Sequence, residues 1–180
     1  AHAAGRIRAV IGRAGHVYGP LVRTTWPGAD VAAVMLNQPV KAIGDVDAPH
    51  TFTYVEDFSR ALIALGAAPE TWGKVWHVPA PPPLSVRDFV ALVAAAARTE
   101  PILRVRSRTA LIARSLASQD ADRLRQLLPL FDQPFVIDHS RFDAAFKLQP
   151  TPHVRGVAQT VAWYRRIEAE RKAAAEKALR

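Results

Sequence analysis

The sequence predicts an α/β fold built on a parallel sheet, and three observations carry that expectation. Short apolar runs that read as strands alternate with helical stretches along most of the 180 residues. The first run, Arg6 to Gly12, closes on a glycine and has the pattern of a strand buried on both faces. Two helix starts carry their own punctuation: Thr53 with Glu56 has the spacing of a capping box, and Ser85 with Asp88 repeats it.

After the first strand comes a stretch rich in turn formers, Gly12-Arg-Ala-Gly-His-Val-Tyr-Gly-Pro20. Asp30 to Leu36 reads as a short helix capped by Asp30, and Val40 to Ile43 as a brief strand before the Gly44-Asp45 turn. His50-Thr-Phe-Thr-Tyr-Val-Glu-Asp57 leads into an apolar helix starting at the Thr53 cap, which holds His50 at the helix mouth. Lys74 to Val78 is a second strand of the sheet, closed by Pro79-Ala-Pro-Pro-Pro83, whose prolines cannot donate to a ladder. Ser85 and Asp88 open an alanine-rich helix through Ala97. Ile102 to Val105 reads as a strand, Thr109 to Ala117 and Asp120 to Leu128 as helices, Phe135 to Asp138 as a strand and Ser140 to Phe146 as a helix. Thr151-Pro152 supplies an N-cap and an N1 proline for a last helix that turns Val154, Val157, Val161 and Tyr164 inward. Beyond Ile167 the chain is an Ala/Lys/Glu/Arg tail with Glu168–Lys172 and Glu176–Arg180 at i,i+4 spacing, a solvated helix with frayed ends. The organisation expected is one domain over residues 1–166 and a charged helical tail over 167–180.

Composition narrows the function. With 49% hydrophobic residues and a mean hydropathy near zero, the chain can bury one ordinary core. No apolar run approaches the roughly 20 residues of a membrane span, and no charged-then-apolar leader is visible, so a cytoplasmic location is expected. There is no cysteine, hence no disulfide and no thiolate metal site; the six histidines never fall at H-x-x-x-H spacing, and no metal is expected. A formal charge of +8 favours phosphates and acidic cofactors in general. The basic residues lack aromatic interleaving and any nucleic-acid signature, which argues against nucleic acid as a partner.

Dinucleotide chemistry is incomplete in these residues. No G-x-G-x-x-G or G-x-x-G-x-x-G occurs, and none of Tyr18, Tyr54 and Tyr164 is followed four residues on by lysine.

The order of landmarks nevertheless carries a likeness. Arg13 to Pro20 ending in Tyr-Gly-Pro, the segment His50 to Asp57, the Gly73 to Pro79 strand, Leu84-Ser85 and the closing Thr151-Pro152 to Trp163-Tyr164-Arg165 are each weak signals. In this order, from Arg6 to about Arg166, the chain resembles the C-terminal half of an extended short-chain dehydrogenase/reductase of the NAD-dependent epimerase/dehydratase family. The resemblance implies the C-terminal part of a Rossmann-like parallel sheet with a small, mostly helical substrate-binding lobe. It further implies NAD or NADP as cofactor, with the glycine-rich loop and the Tyr-x-x-x-Lys pair supplied by an N-terminal half that these residues do not contain.

Carried over by position, Ala14 and Gly15 fall beside the cofactor, and His16 and His50 face the substrate. Relatives often place Asn or Ser where this chain has Gly15 and His16, and nucleotide-sugar members carry Arg-Asp where it has His50-Thr51. A histidine cannot reproduce a permanently charged bidentate fork, and Leu130 to Val136 holds no arginine. Those departures favour a small aldehyde, ketone or alcohol over a UDP- or dTDP-sugar. For His16 the competing assignment is a loop histidine touching solvent or Tyr18, and for His50 a structural loop residue. Tyr54 and Asp57 read as architectural. Trp72, Trp76, Phe89, Phe131, Phe135, Phe142 and Phe146 read as core or pocket wall, and His77 as a buried strand imidazole.

Two functions remain in view. One is the substrate-binding portion of an NAD(P)-dependent oxidoreductase or epimerase, inactive alone. The other is a non-catalytic binding or regulatory module derived from the same fold. In either case the Ile7 to Ile11 strand is expected to leave an unpaired edge and an apolar face, a route to self-association.

Overall fold

The computed structural model describes residues 5, 7–23 and 26–178. Arg6, at the head of the first expected strand, and Arg180, of the expected Glu176–Arg180 pair, lie outside them. Eight short strands and seven α-helices alternate among the described residues. Three strand pairs are parallel and join segments far apart in sequence: β1 (Ile11–Arg13) with β6 (Val75–His77), β2 (His16–Tyr18) with β5 (Phe52–Tyr54), and β3 (Val40–Ala42) with β8 (Leu103–Val105). The fourth pair, β4 (Pro49–His50) with β7 (Leu84–Ser85), is antiparallel.

Of the strand expected over Arg6 to Gly12, only Ile11 and Gly12 lie in β1, and it is not buried on both faces, because Ile11 and Arg13 are exposed. The N–H of Gly73 donates to Ala9 O at 2.7 Å and that of Ile11 to Lys74 O at 3.1 Å, so the pairing begins ahead of the formal ladder. Ile7 and Ile11 remain 53% and 54% exposed, and Ile63 of α2 (Val55–Ala67) is 73% exposed, which leaves apolar surface on this part of the molecule.

Helix α1 spans Trp26–Met35, so Asp30 is not its cap but a buried residue in its second turn. The Pro27-Gly28 step explains the earlier start, because proline is at home in the first turn, where its missing N–H costs nothing.

The Thr53–Glu56 capping box does not form. Helix α2 has Tyr54 as N-cap without a side-chain cap bond, because Thr53 belongs to β5 and its Oγ1 accepts from the Gly15 N–H at 3.1 Å. Asp57, 3% exposed, instead receives the Thr151 N–H at 2.6 Å and the Thr151 hydroxyl at 2.8 Å, with Arg60 as its ion partner. It therefore ties α2 to the segment ahead of α7 (His153–Ala178), the architectural part expected of it. By contrast the Ser85 cap forms: its Oγ accepts the Asp88 N–H at 3.0 Å and donates to Asp88 Oδ2 at 2.7 Å, opening α3 (Val86–Ala97).

Phe135 to Asp138 does not form a strand. Only Phe135 makes a bridge, to His50, and Thr51 N donates to Phe135 O at 2.8 Å. The prolines and aspartates around it interrupt any longer ladder. Helices α4 (Arg108–Ser115) and α5 (Gln119–Phe131) form a hairpin, capped by Ser107 and Ser118, and α6 covers Ser140–Ala145. Helix α7 starts at His153, one residue past the expected proline, because Thr151 is engaged by Asp57. It continues unbroken into the charged tail, where Arg166 and Glu170 pair at 3.8 Å. Val157, Val161 and Tyr164 face inward, but Val154 is 68% exposed. His77 is exposed rather than buried, its Nδ1 2.8 Å from Asp138 O.

The main core is formed where α1, α3 and α7 cover β2, β3 and β5. At its centre Phe52 and Phe89, both fully buried, stack with ring centroids 4.4 Å apart and planes 2° from parallel. Replacing Phe52 by alanine is expected to cost about 3–5 kcal/mol, read as a lower urea midpoint with an unchanged slope.

Candidate functional site

The site begins with a fastening between two loops. At the turn from β1 to β2, Gly15 donates its N–H to Thr53 Oγ1, and His16 donates its own to Thr51 O at 2.8 Å. A Cβ on Gly15 would collide with the Thr51 carbonyl, so only glycine lets the two backbones approach this closely. The side chains of residues 16 and 50 are thereby brought together: His16 Nε2 and His50 Nδ1 lie 2.9 Å apart.

Four aromatic rings box in this pair. Trp26 meets His16 edge-on at 4.6 Å between centroids, and Phe135 lies 5.1 Å from it. Phe131 is stacked against both imidazoles, 6.1 Å from each, and Phe52 is 5.6 Å from His16. Trp26 and Phe131 themselves pack edge-to-face at 4.8 Å. His50 is wholly closed off from solvent, whereas His16 is only half-buried, so any ligand would meet the pair from the His16 side.

Two consequences follow for the protons. A hydrogen bond between imidazoles needs one ring to donate and the other to accept, so both can be satisfied while both are neutral. Burial, and secondarily the neighbouring His50, pushes His16 down to about 4. Burial also lowers His50, against a smaller opposing pull from Asp45. The pair is therefore uncharged near neutral pH. His50 Nε2 is left buried with no hydrogen-bond partner among the described residues, a polar atom available to a group that could reach it.

The four residues singled out from the sequence separate into two sets. His16 and His50 converge. Ala14 packs against the apolar cluster of Ala61, Leu65, Trp76, Val78 and Phe142, and the Gly15 amide is already taken by Thr53. No G-x-G-x-x-G turn, the usual seat of a dinucleotide pyrophosphate at a helix N-terminus, occurs in the sequence. Among the described residues no group of three or more metal-ligating side chains occurs. No helix among them is long and apolar enough to cross a membrane. Sequence reasoning missed Trp26 and Phe52 as parts of the box. The available signal was the Trp26-Pro27 step, which puts an aromatic ring at the mouth of α1.

The fold that carries this site has counterparts among known proteins. Residues 1–78 match the model of the NAD-dependent epimerase/dehydratase family. Over that stretch, less than half of the chain, the sequence is similar to this family. No curated protein matches the chain. Among solved structures, UDP-glucuronic acid 4-epimerase from Bacillus cereus, in complex with UDP-glucuronic acid and NAD, is 17% identical with a TM-score of 0.69, covering 92% of this chain and 48% of that one. An epimerase from Methanothermobacter thermautotrophicus is 18% identical with a TM-score of 0.72, covering 95% and 47%. A dTDP-glucose 4,6-dehydratase from Bacillus anthracis, in complex with NAD, is 14% identical with a TM-score of 0.66, covering 89% and 45%. This chain thus spans about half the length of the epimerases and dehydratases it matches, and it shares the α/β, Rossmann-like fold of that part of them.

The lowered His16 value gives this fold a pH signature. Unfolded imidazole takes up its proton near 6.5, folded His16 only near 4, so between these values the unfolded chain binds more protons. Stability contributed by the neutral ring is complete above about pH 6.5 and is lost as the pH falls toward 4, by up to about 3 kcal/mol. Urea unfolding at pH 7, 5.5 and 4.5 is expected to show that decline, and His16→Gln to flatten it.

Proposed function

We propose that these residues are the substrate-binding portion of an NAD(P)-dependent oxidoreductase or epimerase of the extended short-chain dehydrogenase type, acting on a small carbonyl, alcohol or sugar-like substrate. The observation that carries this reading is the neutral His16–His50 pair held in an aromatic box, on the two segments that the family resemblance assigns to substrate. His16 faces the substrate from the more open side, where a hydroxyl or carbonyl can exchange a hydrogen bond with the imidazole. His50 fixes the His16 ring orientation and tautomer through their shared bond. The apolar rings around them favour an uncharged ligand with hydrocarbon surface.

The same features argue against a nucleotide diphosphate at this point of the site. Two uncharged imidazoles cannot neutralise a diphosphate, and desolvating that anion against Trp26, Phe131 and Phe135 would be costly. The structural neighbours with UDP-glucuronic acid or dTDP-glucose in their names therefore suggest the reaction class and the NAD-type cofactor better than they suggest the substrate.

In this reading a cofactor half with a glycine-rich loop and a Tyr-x-x-x-Lys pair packs on the apolar surface that includes Ile7, Ile11 and Ile63, and without it that surface drives self-association. The 180 residues alone are expected to show no NAD(P)-dependent turnover. Coding sequence in frame ahead of Ala1 is expected to carry both missing motifs. The polypeptide that includes them should transfer hydride to or from small neutral carbonyl or alcohol substrates. In it His16→Ala should lower kcat/KM by about tenfold or more, the loss expected for one hydrogen bond made to the reacting substrate. Turnover by the 180 residues alone, or full activity in the His16→Ala polypeptide, would refute the assignment.

A further inference from the structure

A second polar site lies away from the histidine pair, where β3 and β8 meet the α4–α5 hairpin. The parallel register of these strands sets Lys41 directly opposite Arg104. Both side chains are exposed, on the face opposite the buried Val40 and Ala42. Like charges side by side on a ladder repel, and nothing about packing requires them here. Arg106, two residues along from Arg104, continues the same row, with its N–H donating to Ala42 O at 2.9 Å. Arg114 adds a fourth positive group from α4.

Lys41, Arg106 and Arg114 line one groove of about 500 Å³, large enough for a small ligand. None of these three, nor Arg104, forms an ion pair with an acidic group among the described residues, although neighbouring arginines do: Arg108 holds Asp132 at 2.8 Å and Arg125 holds Asp122 at 2.8 Å. The one carboxylate lining the groove, Asp120, is paired with Arg123 at 3.5 Å. Two helix starts open on the same groove. Ser107 and Ser118 accept the N–H groups of Ala110 and Ala121, which leaves the Ser118 hydroxyl proton free to donate into the groove.

We propose that this groove binds the phosphate group of a small phosphorylated molecule. Arg106 and Arg114 would supply the forked, charge-assisted hydrogen bonds, and Lys41 a point charge. The bound anion would also relieve the Lys41–Arg104 repulsion built into the ladder. The floor of the groove includes Leu111 and Ala121, which share an apolar cluster with Phe131 and Trp26, two walls of the histidine box. A ligand there braces the hairpin that covers the His16–His50 pair, yet its site is distinct from the substrate site and does not depend on that assignment.

The test is calorimetric titration of the 180-residue protein with inorganic pyrophosphate at about physiological ionic strength. One saturable site is expected, weakened about tenfold or more by Arg106→Gln and by Arg114→Gln, and unaffected by Arg171→Gln on α7. Lys41→Gln separates a binding role from a merely structural one: it should raise the melting temperature of the ligand-free protein while weakening pyrophosphate. Absence of saturable binding would overturn the proposal. So would equal affinity in the Arg106 and Arg114 variants, a Lys41→Gln protein that melts lower, or a single-stranded oligonucleotide that binds this groove in preference to pyrophosphate.

Discussion

The structure depends on one close approach, between the turn at Gly15 and the backbone at Thr51. It consumes the N–H groups of residues 15 and 16 and both the carbonyl of Thr51 and the hydroxyl of Thr53. The Thr51 hydroxyl meanwhile accepts the Ile137 N–H at 2.9 Å, and Thr51 N donates to Phe135 O. Three segments distant in sequence are thus sewn together around two adjacent residues. The polar groups involved are largely buried, so each would cost about 1–3 kcal/mol if left unpaired. That penalty fixes the relative position of β2, β4 and the Phe135 segment. The histidine pair, which touches all three, inherits its geometry from them.

Much of the architecture was legible because it rests on local chemistry. The Ser85 cap, the Val40 and Val75 strands and the inward face of α7 at Val157, Val161 and Tyr164 follow from spacing that the tertiary structure leaves undisturbed. Where tertiary partners competed, local signals misled. Thr53 has the right spacing for a cap, but the Gly15 amide claims its hydroxyl first. Asp30 looks like an N-cap, but Trp26-Pro27 starts the helix a turn earlier. Val154 fits the apolar stripe, yet the helix begins at His153, and its first turn presents that position to solvent.

The candidate site shows the same division. His16 and His50 could be named from their places in two motifs, but 34 residues separate them, and nothing local says that their ring nitrogens meet. Their neutrality was also hidden, because it comes from rings contributed by α1, α5 and the Phe135 segment. The opposition of Lys41 and Arg104 was equally invisible, since it arises from the register of a parallel pair 63 residues apart, Lys41↔Arg104. Spacing reveals which groups exist; only the fold decides which of them share an environment.

The two polar places in this molecule follow opposite electrostatic rules. At the histidine pair, burial removes charge: desolvation penalises the charged form of each ring, His50 adds to this at His16, and the opposing pull of Asp45 on His50 is smaller. Along the β3–β8 face, charge cannot be removed, because guanidinium groups stay protonated and exposed ones remain hydrated. Repulsion there is tolerated by screening, and it is relieved by whatever anion arrives. An uncharged substrate and an anionic ligand would therefore not compete for the same residues. The hairpin of α4 and α5, which contributes Phe131 to one place and Arg114 to the other, is the element through which occupation of either could be felt at the second.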